Sequence, residues 1–93
     1  NPMYARAYVN RGVARGELGD LNGAITDYAA AGRIQPDLAE AWGGMGMCYA
    51  LQGRWAEAVG SFERALASAH PRWPFRGDTE RRLEEARRRL RSR

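Results

Sequence analysis

Side chains that could do chemistry are few in this 93-residue sequence. Cys48 and His70 are its only cysteine and histidine, and nucleophilic catalysis needs such a group beside a base that a third group orients. A structural zinc site needs four ligands of this kind. Neither a glycine-rich phosphate loop nor a pair of carboxylates with evident partners occurs. The sequence therefore predicts no enzymatic activity, no metal site and no cofactor, and it favours a buried structural thiol at Cys48.

Arginine is the other reactive side chain, and all 15 basic residues are arginines. Residues 72–93 carry nine of them against four acidic residues, a charge of +5, whereas the preceding residues sum to −1. Clustered arginines can neutralise the phosphates of nucleic acid. Alternatively, Glu84–Arg88 and Glu85–Arg89 pair at i,i+4 on a solvated helix face. Because no aromatic residue interleaves with these arginines for base stacking, the sequence favours the solvated face over an anion- or nucleic-acid-binding helix.

The composition also bears on location. Apolar residues make up 44% of the chain, yet no uncharged apolar run is long enough to cross a bilayer, so no membrane partner is expected. A single cysteine fits a reducing compartment, and we expect a cytoplasmic protein. Arginine without lysine, with abundant alanine and glycine, is compatible with a bacterial protein from a GC-rich genome.

The elements that would position any site follow a repeat of 34 residues. Small residues match small ones and bulky ones match bulky ones, as repeated helix packing requires. The matched pairs are Ala5/Ala39, Ala7/Ala41, Tyr8/Trp42, Gly12/Gly46, Gly19/Gly53, Ala24/Ala58, Ile25/Val59, Tyr28/Phe62 and Ala31/Ala65.

Each unit reads as two helices joined by a short turn. Gly19 and Gly53 can adopt the left-handed conformation that ends a helix, and Asp20 can cap the next one. Asp37 and Glu40 form a D-x-x-E variant of the capping box. The predicted helices cover about residues 4–17, 21–34, 38–51 and 55–69, with a fifth from Asp78 or Thr79 to about Arg91.

These residues resemble the tetratricopeptide repeat, whose pattern is W-x₂-L-G-x₂-Y…A-x₃-F…P. The second unit supplies Trp42, Met45, Gly46, Tyr49, Ala58 and Phe62, and the first supplies Tyr8, Gly12, Ala24, Tyr28 and Pro36. Arg11 and Arg15 depart from the pattern, because the family has Leu and Tyr there, and Pro71 comes one residue late. The resemblance covers residues 1–71. It implies an all-α fold of antiparallel helix-turn-helix repeats, stacked as a right-handed solenoid, with five helices in total.

The resemblance divides the chain into residues 5–37 and 38–71 as two repeats and 72–93 as a linker and capping helix. Residues 1–4 are expected to close a preceding repeat, because Pro2 lies 34 residues before Pro36. The alternative is that Asn1 caps the first helix. In the tail, Leu83, Ala86 and Leu90 form the expected apolar stripe, and Trp73 and Phe75 are expected to cover the end of the core.

The resemblance further implies a protein–protein interaction scaffold, in which the first helix of each pair lines a concave groove for a peptide or partner protein. Carried over by position, the groove residues are Arg6, Val9, Asn10, Val13, Glu17, Glu40, Gly43, Gly44, Met47 and Leu51. Asn10 matches the clamp asparagine of repeats that bind chaperone carboxyl termini. Glu40 and Gly44 stand where that clamp needs basic residues, which argues against it.

Two questions stay open in the sequence. Gly43 and Gly44 each cost about 1 kcal/mol relative to alanine inside a helix, so they are either a slot for close approach of a partner or tolerated drift.

Two repeats also lie below the roughly three that solenoids usually need. The exposed end near Tyr4, Tyr8, Arg11 and Arg15 is therefore an alternative surface for homo-oligomerisation, ranked after the groove.

Overall fold

The computed structural model describes residues 1–92, and within them the chain forms five α-helices and no strand. The helices are α1 Pro2–Glu17, α2 Leu21–Ile34, α3 Ala39–Leu51, α4 Trp55–Ser68 and α5 Arg76–Arg91. Consecutive helices pack against each other as two helix pairs followed by a single helix. The predicted all-α repeat architecture is confirmed.

Left-handed glycines make the turn within each pair. Gly19 has φ +85° and Gly53 has φ +74°, and they follow α1 and α3 at matched positions. The side chain of Asp20 then caps α2 by accepting from the Gly23 N–H at 3.0 Å. Arg54, at the matched position before α4, makes no cap bond and pairs with Glu57 at 2.9 Å instead.

Two predicted caps are wrong. Leu38, not Asp37, occupies the N-cap of α3 without a side-chain cap bond, and its side chain is buried in the core at 7% exposure. The Glu40 carboxylate binds Arg6 rather than the helix amides. Likewise α5 begins at Arg76, before the predicted cap at Asp78 or Thr79. Both helices start without a capping side chain, and only at α3 is the N-cap side chain buried in the core.

Aromatic rings packed on bare glycine backbone set the distance between helices. A Cβ placed on Gly12 of α1 would lie 3.1 Å from the Tyr28 ring, and one on Gly44 of α3 would lie only 2.5 Å from it. Phe62, the counterpart of Tyr28, packs on Gly46 in the same manner at 2.6 Å. Since real Cβ atoms do not approach this closely, the glycines are what allow α2 and α4 to pack so near α1 and α3.

Helix α5 closes the end of the second repeat. Leu83 and Ala86 are buried in one cluster with Ala58 and Phe62 of α4. The Arg76 guanidinium donates to the Leu66 and Ala69 carbonyls at 3.2 and 2.9 Å, which satisfies acceptors at the end of α4.

The tail differs from its prediction at two apolar residues. Leu90 is 37% exposed and Phe75 is 58% exposed, so the stripe ends at Ala86 and Phe75 does not cover the core. Trp73 is half-buried and does pack over the repeat, near Gly43.

The amino-terminal end has the cap that the alternative interpretation expects. Asn1 Oδ1 accepts from the Met3 N–H at 2.9 Å, and α1 starts at the next residue. A preceding repeat stays a prediction. None of the helices in residues 1–92 combines the length and apolarity that a membrane crossing requires. The cytoplasmic location and the bacterial origin stay predictions too.

Candidate functional site

A concave groove of about 320 Å³ lies between α1, α3 and the start of α5. Its predicted wall residues are Val9 and Val13 from α1, with Glu40, Gly43, Gly44 and Met47 from α3. Val13 is 45% exposed and Met47 is 39% exposed, so both present apolar surface to solvent in the groove. Tyr28 and Phe62 form the floor.

Four of the predicted groove residues lie outside its lining: Arg6, Asn10, Glu17 and Leu51. Arg6 still borders the groove, because its guanidinium donates to both carboxylate oxygens of Glu40, at 2.6 and 3.2 Å. Leu51, the last residue of α3, is 72% exposed. The groove is thus shorter than the row of first-helix positions implies.

The tail supplies a wall that the sequence interpretation missed. Trp73, Phe75, Asp78, Thr79 and Arg82 all line the groove. The rings of Trp73 and Phe75 meet edge to face, with centroids 5.9 Å apart. The available signal was the pair of aromatic residues in "RWPF", which the sequence interpretation assigned to core packing alone.

The charged groups of the groove are paired within the chain. Asp78 accepts from Arg82 at 2.7 Å and lies 3.6 Å from Arg81, and the Arg82 hydrogen bond holds the Asp78 pKa below its usual value. The hydrogen bond to Glu40 raises the Arg6 pKa. With its charges neutralised, the groove can offer mainly apolar contact to an occupant.

The structure gives Gly44 a packing role that neither sequence alternative included. The Tyr28 ring occupies the space beside Gly44. Next to Gly43, the Trp73 ring lies 3.5 Å from where a Cβ would be, which is ordinary contact. The Tyr28 ring therefore makes Gly44 the position that needs glycine. Whether a partner approaches closely at Gly43 stays a prediction.

The sequence itself matches known repeat profiles. One tetratricopeptide repeat profile matches residues 5–38 and another matches residues 39–69. The chain belongs to the tetratricopeptide repeat family. Tetratricopeptide repeats are in general protein–protein interaction modules and typically non-enzymatic scaffolds. A comparison with curated proteins found no match.

Within its first tetratricopeptide repeat, the two departures from the family pattern have a shared cause. Asp27 is 1% exposed and accepts from Arg11 Nε at 3.0 Å and Nη2 at 2.9 Å. Arg15 Nη1 lies 3.3 Å from the same carboxylate. The two arginines therefore neutralise a buried charge.

The counterpart positions in the second tetratricopeptide repeat carry no charge. They are Met45, Tyr49 and Ser61, each 34 residues on. Met45 is 6% exposed and Ser61 is 8% exposed. The same packing position is therefore filled by an ionic cluster in the first repeat and by largely apolar residues in the second.

The outer face of the first tetratricopeptide repeat holds a second cavity of about 540 Å³, lined by Tyr4, Ala7, Tyr8, Arg11 and Ile34. Its counterpart in the second repeat is covered by α2. There Leu38 is 7%, Ala41 is 0% and Met45 is 6% exposed. On the first repeat the equivalent surface is open, and Tyr4 is 64% exposed.

The arginines of α5 are engaged by neighbouring acids. The predicted Glu85–Arg89 pair forms at 3.3 Å. The predicted Glu84–Arg88 pair is wrong, because Arg88 binds Glu85 at 2.6 Å and Glu84 lies 3.7 Å from Arg91. Arg87 reaches across to Glu63 of α4 at 2.8 Å. Such pairs are those expected of a solvated helix face, and the absence of nucleic-acid binding stays a prediction.

The two reactive side chains, Cys48 and His70, have surroundings that suit structural roles. Cys48 is 5% exposed, and burial raises the pKa of its thiol, which keeps it protonated and unreactive. His70 Nδ1 accepts from the Arg72 N–H at 3.0 Å in the linker. Among residues 1–92, no group of three or more histidine, cysteine or acidic side chains converges to hold a metal ion.

Proposed function

We propose that the concave groove of this chain binds a peptide segment of a partner protein. The proposal rests on one observation: α1, α3 and the tail all contribute apolar side chains to the lining of the groove. Val13, Met47 and Phe75 stay exposed there at 45%, 39% and 58%. Burial of apolar side chains against such a surface is a main source of affinity for peptide partners.

A charged residue at position 47 is expected to abolish most of this binding. Linear peptides can be selected from a phage-displayed library on the wild-type protein, synthesised, and titrated by fluorescence anisotropy. Because Met47→Glu places a charge among apolar contacts, we expect the selected peptides to bind at least about ten-fold more weakly.

Leu51→Glu is the matched control. It makes the same kind of change one turn later on α3, at a side chain that is 72% exposed and lies off the groove. Affinity should stay at the wild-type level. If both variants lost peptide affinity equally, the peptides would bind outside the groove. If no selected peptide bound Met47→Glu more weakly than the wild type, the proposal would be contradicted.

Self-association through the first repeat is the second candidate, favoured by the open cavity on its outer face. Light scattering from about micromolar to millimolar protein is expected to show the mass rising from monomer toward dimer. Ala7→Glu introduces a charge into that cavity and should keep the protein monomeric, whereas Ala67→Glu, on the exposed face of α4, should not. A strict monomer throughout the series would exclude this candidate.

A further inference from the structure

We infer that the outer face of the first repeat pairs with the same face of a second copy, the two α1 helices lying antiparallel about a two-fold axis. This face is lined by Tyr4, Ala7, Tyr8, Arg11 and Ile34. The inference rests on the self-association candidate above and specifies its geometry. Three observations support it: the counterpart of this face in the second repeat, the order of residues along α1 and the closed opposite end of the chain.

The second repeat shows how a helix packs on such a face. Ala41 and Trp42 are the counterparts of Ala7 and Tyr8. Ala41 is 0% exposed, and the Trp42 ring lies so close to Gly32 of α2 that a Cβ there would be 2.7 Å from it. The covering helix therefore places a small residue against the aromatic ring. On the first repeat, the equivalent cavity is lined by α1 and the end of α2, and Ala7 is exposed.

The residues of α1 on this face complement one another in an antiparallel pair. Tyr4, Ala7, Tyr8 and Arg11 have the i, i+3, i+4, i+7 spacing of a single helix stripe. A two-fold axis between positions 7 and 8 puts Ala7 opposite Tyr8 of the second copy, and Tyr4 opposite Arg11. The first contact repeats the ring on a small residue that the second repeat shows. The second brings a guanidinium to a tyrosine ring, which is an attractive cation–π pair.

A parallel pair of α1 helices lacks this complementarity. Each residue would then meet its own copy, so that Arg11 would face Arg11 and Tyr4 would face Tyr4. Like charges placed opposite each other disfavour association. The stripe therefore favours the antiparallel arrangement.

The basic residues of α1 permit close approach, because each is paired with a carboxylate of its own chain. Arg6 pairs with Glu40 at 2.6 Å. Arg11 and Arg15 pair with Asp27 at 2.9 and 3.3 Å. The Arg11 side chain is still 57% exposed, so a ring of the second copy can reach its guanidinium.

The opposite end of the chain offers no matching surface. There α5 covers α4, and its Leu83 and Ala86 are buried against that helix. Every exposed residue of α5 except Gly77 and Leu90 is charged. A head-to-tail stack, which would grow into a filament, therefore lacks a second apolar face at this end. Two copies of the first-repeat face close as a dimer instead.

The face is large enough for a weak dimer. Tyr4 is 64% exposed and Ile34 is 40% exposed. Since an aromatic side chain buries about 150–250 Å² when it is covered, the four tyrosines of the pair supply a large part of the roughly 1,000 Å² that a specific interface needs. The expected dimer therefore forms toward the upper end of the concentration series.

Cysteine crosslinking tests the pairing, with copper phenanthroline as the oxidant and non-reducing gels as the readout. Ala7→Cys should give a covalent dimer, because the two thiols are offset by only about 1.5 Å along the helices. Tyr4→Cys should not, because its thiols would be about 10 Å apart along the helices, beyond the reach of a disulfide. Asn10→Cys, on an exposed part of α1 outside the cavity, is the control for random collision. The native Cys48 is 5% exposed and should not react.

Tyr4→Ala measures the contribution of the ring. We expect the dissociation constant of the dimer, measured by analytical ultracentrifugation, to rise about ten-fold, since each dimer loses two rings. Because Tyr4 is 64% exposed, thermal unfolding of the dilute protein should stay unchanged. Leu18→Ala is the matched control: Leu18 follows α1, is 85% exposed and lies outside the cavity, so the constant should not change.

The outcomes separate this geometry from self-association itself. A dimer by mass in which Ala7→Cys does not crosslink would overturn the paired α1 helices and leave self-association intact. Crosslinking by both Ala7→Cys and Tyr4→Cys would overturn the antiparallel arrangement. A mass that rises beyond the dimer would overturn the closed pair. A strict monomer would contradict both proposals and leave this face to a preceding repeat.

Discussion

Replacement of Arg11 and Arg15 by alanine together is expected to lower the free energy of unfolding by about 2 to 3 kcal/mol, because it leaves the buried Asp27 carboxylate without a counter-charge. Asp27 is 1% exposed. Arg11 donates two hydrogen bonds to its carboxylate, and Arg15 forms an ion pair with it. Uncompensated burial of a charge is among the few mechanisms by which substitutions cause losses of this size. We expect a smaller loss than the roughly 3 to 5 kcal/mol of a fully buried pair, because the Arg11 and Arg15 side chains are 57% and 38% exposed.

Urea unfolding followed by far-UV circular dichroism measures this effect. The midpoint should fall while the slope against urea stays unchanged, since the surface exposed on unfolding is nearly the same. Equal midpoints for the wild type and the double variant would mean that the ion pairs do not stabilise the first repeat.

The second repeat supplies the matched control for this experiment. Arg11→Met, Arg15→Tyr and Asp27→Ser combined reproduce the residues found 34 positions later. Because buried ion pairs can often be exchanged for apolar packing without loss, this triple variant should regain most of the wild-type midpoint. A triple variant as unstable as the double one would show that the neighbours of α1 and α2 accept only the ionic arrangement.

Gly44→Ala is the second substitution with a large expected effect. The new Cβ would lie 2.5, 2.7 and 2.8 Å from atoms of the Tyr28 ring, which is held on its other face by Gly12. Overpacking of this kind costs about 1 to 3 kcal/mol, and the better helix propensity of alanine returns about 1 kcal/mol. We expect a net loss of up to about 2 kcal/mol, measured as a lower midpoint of thermal unfolding.

Gly43→Ala is its neighbour and control. There the nearest atom to the new Cβ is Trp73 Cη2 at 3.5 Å, an ordinary contact. The helix propensity of alanine should then prevail and stabilise the protein by about 0.5 to 1 kcal/mol. If Gly44→Ala destabilises the protein and Gly43→Ala stabilises it, ring packing explains why position 44 needs glycine. Stability changes of the same sign in both variants would contradict that explanation.

The tail does more than close the end of the second repeat, because it also forms one wall of the groove. Leu83 and Ala86 already close the second repeat, yet Trp73 and Phe75 lie in front of α3 and leave apolar surface exposed. With the paired charges of Asp78 and Arg82 beside them, they complete one wall. The part of the chain that departs from the repeat period therefore shapes the site.

Local sequence signals determined the fold. The 34-residue spacing of Gly12/Gly46, Gly19/Gly53 and Tyr28/Phe62 predicted two helix pairs, and the helix ends at Glu17, Ile34 and Leu51 agree with the structure. Such signals work because turn geometry and helix periodicity depend on residues close together in the chain. The same signals failed at the starts of α3 and α5, which have no capping side chain.

The candidate site was only half predictable. First-helix positions Val9, Val13, Glu40, Gly43, Gly44 and Met47 do line the groove, as the family pattern implied. Their binding role stays a proposal. The sequence could not show that Arg6 neutralises Glu40 or that Tyr28 reaches the groove floor, since each depends on where two helices of different repeats meet.

What the sequence determined by itself is therefore the repeat, its helices and the family. What only the tertiary structure decided is which side chains meet: Tyr28 between Gly12 and Gly44, two arginines on Asp27, and the tail aromatics across from α3. The physical reason is that periodicity fixes the face of a helix on which a residue lies. Contacts between faces depend instead on the distance and crossing of the helices, which ring size, glycine backbone and buried charge set together.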